Sequence, residues 1–296
     1  MFGACKPKIL SSFLLFSFGL FSRPAFAQLD LAGQWGQRQH EDAPERIGGP
    51  EIGDFTAMPI NDAARMRADA WDATKWEMLE HECEPHPSDY GPRGPGDLRM
   101  WSDLDSLTEG VRAWHSVLRW MLPVRTIYMD GRPHPSEYAP HTWQGFSTGE
   151  WEGDMLKVTT THMKEGWVRR NGIPRSDKST MIEYFIRHGD YFTLVTDVED
   201  PVYMTEPFIR TSNWILDLGY RLGPNTCLPS AEVNHPKGWV SHHLPGKNPW
   251  LNEYASRWGI PEEAVRGGGY TTYPEYQERL AKLPAPPKLQ PTEQKQ

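Results

Sequence analysis

Between residues 98 and 215 the chain is written in short runs of β-branched and aromatic residues, each closed by a turn signal. This rhythm constrains the fold more than any other feature. The spacing predicts strands over 111–118, 125–129, 141–147, 155–162, 181–188, 191–198 and 208–215. Asp130-Gly131, Glu152-Gly153-Asp154 and Gly189-Asp190 are the turns, and the last, placed between two alternating runs, signals a two-residue hairpin. Strands in meander order close best as an antiparallel barrel or a strongly curved sheet, so the expected fold class is mainly β.

The flanks read differently. Residues 28–97 form an N-terminal extension with one helix: Asn61 and Asp62 start it, and 63–73 carries good helix formers. Pro85 and Pro87 force an extended stretch, and YGPRGPGD (90–97) is a loop by composition. The barrel-like core spans 98–216. Beyond it, 217–283 reads as an arm of loops and short helices packed on the core, and the proline- and glutamine-rich 284–296 as a disordered tail. A chain of this length buries one substantial core, so one large domain is expected.

The first 27 residues stand apart. Lys6 and Lys8 precede an apolar run over 9–21, and Ala25 and Ala27 supply the small pair that a signal peptidase reads. Such a signal peptide sends the protein to the periplasm or the extracellular space, and no later stretch approaches the ~20 apolar residues that span a bilayer. Loss of Lys6, Lys8 and Arg23 would deepen the net charge from −8 to −11. That charge gives no electrostatic reason to bind nucleic acid or anionic lipid. Cys83 and Cys227 remain; in an oxidising compartment one disulfide is favoured, with two separate buried thiols as the alternative.

Gly145-Phe146-Ser147-Thr148-Gly149 matches the G-x-S-x-G pattern of a nucleophile elbow, which requires a strand before the serine and a helix directly after it. Here Ser147 is followed by a turn signal and a second β-type run, MLKVTTTH. Gly145 and Gly149 therefore read as bends or close backbone approaches, and Ser147 as a sheet residue.

MDGRPHP (129–135), TWQGFSTGEWEGDMLKVTTTH (142–162), RSDKSTMIEYFIRHGDY (175–191) and DPVYMTEPF (200–208) resemble motifs of a largely uncharacterised family of exported bacterial proteins. The resemblance covers most of the mature chain and implies export, but it brings no activity and no catalytic residues. The W-E-G-D-x-L hairpin is also similar to those of lipocalin-like barrels, which implies a barrel enclosing a small apolar ligand.

Eleven histidines are the main chemical resource. His115, His141, His162 and His188 lie on or at the ends of predicted strands. Alternation puts His115 on a face with Val111, Ala113 and Val117, expected to be the barrel interior. His115, His141 and His188, with Glu183 as an inward carboxylate, are the acid–base candidates; a satisfied core imidazole is the competing structural role. Trp143, Trp151, Arg132, Arg170 and Glu206 are candidates for holding a ligand, Arg132 competing as a turn partner of Asp130. His81, Cys83 and His86 fall within six residues, a conceivable zinc or copper set. The spacing matches no recognised finger, however, and Cys83 has a competing use with Cys227. His235, His242 and His243 lie on the arm.

No dinucleotide fingerprint or phosphate loop occurs, so no organic cofactor is expected. The pattern points to an exported enzyme without a cofactor (lyase, isomerase or hydrolase) acting on a small, partly apolar or aromatic molecule by His/carboxylate chemistry. A carrier with the same pocket is the alternative, and the sequence leaves the oligomeric state open. N-terminal sequencing of the exported protein is expected to return Gln28; Met1 would remove the signal peptide from the account.

Overall fold

The computed structural model describes residues 29–38, 51–78, 81–93, 96–119, 124–219, 227–229, 234–285 and 287. The expected signal peptide and nearly all of the expected tail lie outside them. Among the described residues nine strands close into a barrel: β1 (Gly33–Gln37), β2 (Leu98–Leu104), β3 (Val111–Leu118), β4 (Val124–Tyr128), β5 (Phe146–Glu152), β6 (Met155–Thr161), β9 (Thr180–His188), β10 (Tyr191–Glu199) and β11 (Phe208–Leu216). β1 closes it by pairing with both β2 and β11. A small hairpin of β7 (Gly166–Trp167) and β8 (Pro174–Arg175) stands outside the barrel.

The legible hairpins form as their turns dictate, with His188 opposite Tyr191 across Gly189-Asp190. The barrel is antiparallel except where β4 and β5 run parallel, Ile127 beside Ser147. The connection over 129–145 is a crossover rather than a hairpin, and a crossover returns the chain in the same direction. β5 also begins later than the run at 141 suggests. Gly145 has φ +69°, and a Cβ there would stand 2.6 Å from the Thr161 carbonyl oxygen. Strand geometry therefore starts only after this close approach.

Inward residues sort into layers. Trp35, Leu98, Met100, Trp114, Ile127, Leu156, Phe185, Phe192, Leu194 and Trp214 form an apolar core at one level. Met163, Met181, Val198 and Met204 join Phe55, Met58 and helix α1 (Asp62–Asp69) in a second. Along β9 the inward order is Phe185, Glu183, Met181, and along β10 it is Leu194, Thr196, Val198, so a polar layer separates the two cores. In that layer Arg125 donates to Ser147 Oγ (3.0 Å), Thr160 Oγ1 (2.6 Å) and the Glu183 carboxylate. Burial pushes the Glu183 carboxyl up, and the Arg125 guanidinium opposes it.

The segment 87–93, part of which composition marks as a loop, is buried throughout. Ser212 Oγ, on the inner face of β11, donates to the Pro92 carbonyl (3.0 Å), and the Trp214 indole to that of Gly96 (3.1 Å). The segment is a plug in the barrel. Buried backbone needs such partners, which side chains supply here in place of a ladder. Asp89 in the plug pairs with Arg175 of β8 at 3.0 Å, both fully buried. The rest of the guanidinium donates to the Ser176 and Lys164 carbonyls and to Ser179 Oγ. The interior void among Ser88, Ser116, Arg125 and Phe185 is about 20 Å³, room for about one water. The expected ligand chamber is instead filled by the plug and by Trp and Phe side chains.

Helix α1 starts at the expected cap, Asn61, whose side chain accepts from the Ala64 amide (3.0 Å). It ends at Asp69 rather than Ala73, because Trp71 pairs with His242 of the arm and Asp72 caps a new 3₁₀ turn over Ala73–Glu77. The arm carries α2 (Glu253–Trp258), α3 (Glu262–Arg266) and α4 (Pro274–Leu280). Cys83 and Cys227 form a disulfide, Cα–Cα 5.6 Å, closing 144 residues. Loop-closure models credit a span of that size with about 5 kcal/mol as an upper figure.

Asp89→Ala leaves a buried guanidinium without its anion and should cost about 3–5 kcal/mol in urea unfolding. Arg175→Met combined with Asp89→Leu should cost less than Asp89→Ala alone. A single variant within about 0.5 kcal/mol of wild type would show that the pair does not fasten the plug.

Candidate functional site

With the barrel filled, a cleft of about 410 Å³ lies outside it. Its walls come from the end of α1 and the following 3₁₀ turn (Arg67, Trp71, Asp72, Lys75), the segment at His81 and Glu84, Trp143 of the crossover, the β7–β8 hairpin (Glu165, Trp167, Pro174) and the arm (Ser241, His242). The sequence brings these together by local means. Asn248 of the arm donates to the Asp69 and Trp71 carbonyls, 2.9 and 3.2 Å, fixing the chain after α1. Gly172, at φ +87°, leaves the Trp71 ring its place; a Cβ there would lie 2.4 Å from Trp71. Gln144 donates to the His86 carbonyl (2.7 Å) and the Ser88 amide to that of Trp143 (3.3 Å), so the plug also positions Trp143.

Trp71 and Trp167 line the cleft, and Trp76 packs against both. Trp71, Trp76 and Trp167 pack with centroids 4.6–6.0 Å apart, the closest pair edge-on, the geometry that aromatic quadrupoles favour. The Lys75 ammonium lies 5.8 Å from the Trp167 centroid and that of Lys164 5.1 Å from Trp143. The polar wall consists of pairs. His81 Nδ1 and Glu84 Oε1 are 3.1 Å apart and both half-buried, and Arg67 pairs with Glu165 at the more exposed rim. Asp72 accepts from the Thr74 amide and hydroxyl, and His243 stands 3.8 Å away. A carboxylate on one imidazole nitrogen fixes the tautomer and leaves the other nitrogen to exchange protons with a bound molecule.

The expected site residues divide. Trp143 lines the cleft. His115 does not share the barrel interior. Trp114 takes that face and carries Ser116 and Leu118 with it, leaving His115 outside, stacked on Trp101 (5.2 Å) and bonded to Asp103 (2.8 Å) and Thr126 (3.1 Å). Strand parity fixes two faces, and the larger apolar side chain decides which goes in. His188 is exposed beside the β9–β10 turn, and His141 stacks on His162 (5.2 Å). None of the three lines the cleft. Glu183 points inward as expected but pairs with Arg125 in the polar layer, and Trp151 packs on the barrel core. Arg132 grips Asp130 and covers the Tyr128 ring (3.8 Å), the turn role. Arg170 is exposed and electrostatically close to His86. Glu206 accepts from Tyr273 (2.7 Å) in a separate groove with Lys178 and Met204. Ser147 is 1% exposed, and β5 runs on past it with no helix.

The histidines that miss the cleft have structural work. Thr161 Oγ1 lies 2.7 Å from Nδ1 of both His134 and His162. His162 Nε2 donates to the Ser136 carbonyl (2.8 Å), so with neutral rings its Nδ1 accepts from Thr161. His134 Nδ1 must then donate to Thr161 while its Nε2 accepts from Thr148 (2.8 Å). Burial and nearby His162 hold the His134 pKa down, in keeping with that neutral chain, which fastens the crossover to β5 and β6.

The disulfide removes Cys83 from the conceivable metal set. Among the described residues no three His, Cys, Asp or Glu side chains are arranged to hold an ion. Sequence reasoning missed Trp71, Asp72, Lys75, Glu165 and Trp167. The density of aromatic and charged residues in DAWDATKW and KEGW is the only local signal that marks them. Compared with known proteins, the chain matches no family model, no curated protein and no solved structure.

His86 packs on Tyr90 (4.9 Å) behind the cleft, and burial, with Arg170 nearby, pushes its pKa from 6.5 to about 4. Between those values the unfolded chain binds the proton and the folded protein does not. Its stability contribution is therefore full above about pH 6.5 and lost as pH falls toward 4, by up to about 3 kcal/mol. Urea unfolding at pH 7 and 4.5 should show this slope in the wild type and a shallower one in His86→Asn. Equal slopes would contradict the assignment.

Proposed function

We propose that this is an exported protein, of the family its motifs resemble, that binds a small molecule with a flat apolar face in the cleft. There it transforms the molecule by acid–base chemistry, with His81 as the proton-transferring group and Glu84 as the residue that orients it. The observation that carries the reading is the His81–Glu84 pair in the wall of a cleft whose other wall is tryptophan. Aromatic faces supply affinity and orientation through stacking, and a positioned imidazole contributes typically 10²–10⁴-fold in rate. The lining carries Arg67 and Lys75 against Asp72, Glu84 and Glu165, nearly balanced, which favours a neutral or weakly charged ligand. Export is supported by the N-terminal sequence and by the disulfide; no described helix is long and apolar enough to cross a membrane.

The carrier reading has its own support in the packed Trp71–Trp76–Trp167 cluster, which suits retention without turnover. Incubating the protein with a metabolite extract and following compounds by mass spectrometry separates the two. The wild type should deplete a compound that His81→Ala retains but converts about 10²–10⁴ times more slowly, while Ser147→Ala and His115→Ala stay within a few-fold of wild type. Retention without depletion by the wild type would leave the carrier. Depletion unaffected by His81→Ala would remove His81 from the chemistry.

A further inference from the structure

We propose that the Cys83–Cys227 disulfide is the clasp that assembles the cleft, so that the site becomes competent only on oxidation while the barrel folds with or without the bond. The inference rests on the reading of the cleft as the functional site, and it concerns that site's regulation. Cys83 lies between His81 and Glu84, the two members of the acid–base pair, in a stretch over 81–86 with no helix or strand. Its φ is +61°, in the left-handed region that residues with a Cβ seldom adopt. The bond to Cys227 is a covalent restraint on this segment. Cys227 lies past the end of β11, on the chain that goes on to supply Ser241 and His242 to the cleft. One covalent link therefore joins the segment that carries the acid–base pair to the arm, beside the Asn248 and His242 contacts that hold the arm to the chain after α1.

The barrel has its own closure. β1 bridges β2 and β11 by ladder hydrogen bonds, and neither core contains residues of 81–84 or Cys227. Cys227 is exposed and Cys83 half-buried, so small thiols can reach the bond. The chemistry is thiol–disulfide exchange. A disulfide oxidant takes two electrons and two protons from the thiols of Cys83 and Cys227, which join as the oxidant leaves as a dithiol; a reducing dithiol reverses the step. A chain still in a reducing compartment would then carry a folded barrel with an open cleft.

A melting temperature does not test this, because removing a link that closes 144 residues also relaxes the unfolded chain and lowers global stability. Native-state hydrogen exchange by mass spectrometry does. It should be run on the full chain oxidised, after dithiothreitol, and as Cys227→Ala, which leaves the 81–86 sequence intact. Amides of 81–86 and 234–246 should exchange at least about tenfold faster in the reduced and variant proteins, with β9 and β10 still protected. Unchanged exchange at 81–86 would overturn the proposal, because the loop would then hold itself. Loss of protection in β9 and β10 in step with 81–86 would also overturn it, since the bond would then be a staple of the whole fold. No ligand enters the readout, so failure of the proposed activity and failure of the clasp are separate results.

Discussion

The ion pair between Asp89 and Arg175 is the contact on which both the filled barrel and the cleft beside it depend. Both groups are fully buried, and the pair holds the plug inside the barrel while its cationic end sits in the β7–β8 hairpin. A charge removed from water is tolerated only with its partner in place, so the plug and the hairpin are fixed relative to each other. The same interaction that fills the barrel thus builds the wall that presents Trp167 and Pro174 to the cleft. Among the described residues the barrel interior keeps a void of about 20 Å³, and the cleft lies outside it.

The chain of dependence runs outward from there. The plug positions Trp143 through Ser88, and its own N-terminal lead is the segment carrying His81, Cys83 and Glu84. The arm closes the opposite side by pairing His242 with Trp71. His81, Glu84 and Trp143, the acid–base pair and one aromatic wall of the proposed mechanism, stand on irregular backbone braced by hydrogen bonds. Such sites combine rigid neighbours with loop variability.

Much of the fold is legible in the sequence because strand alternation and turn chemistry are local. Gly189-Asp190 is enough to join β9 to β10, and Asn61 is enough to start α1. β1 and β2 were not legible: GQWGQ carries two glycines and one apolar residue, and its strand character comes from closing the barrel. The face of His115 was misread because both faces of β3 carry apolar residues, so parity alone could not choose between them. YGPRGPGD reads as surface by composition, and only side chains far away in sequence make its burial possible. The disulfide was half legible, from compartment and count. The cleft was the least legible, because its lining runs from Arg67 to His242 and no local pattern joins such positions. Trp143 was found for its aromatic character, and His81 only as a metal ligand, a chemistry the disulfide closes off.

The central claim is that ligand meets tryptophan outside the barrel and not within it. Fluorine NMR of protein labelled with 5-fluorotryptophan tests this directly, with resonances assigned by single Trp→Phe variants and a compound retained from extract as the ligand. The account predicts shifts at Trp71, Trp143 and Trp167, with Trp35, Trp114 and Trp214 unmoved. Shifts confined to Trp35, Trp114 and Trp214 would place the ligand in the barrel and contradict it.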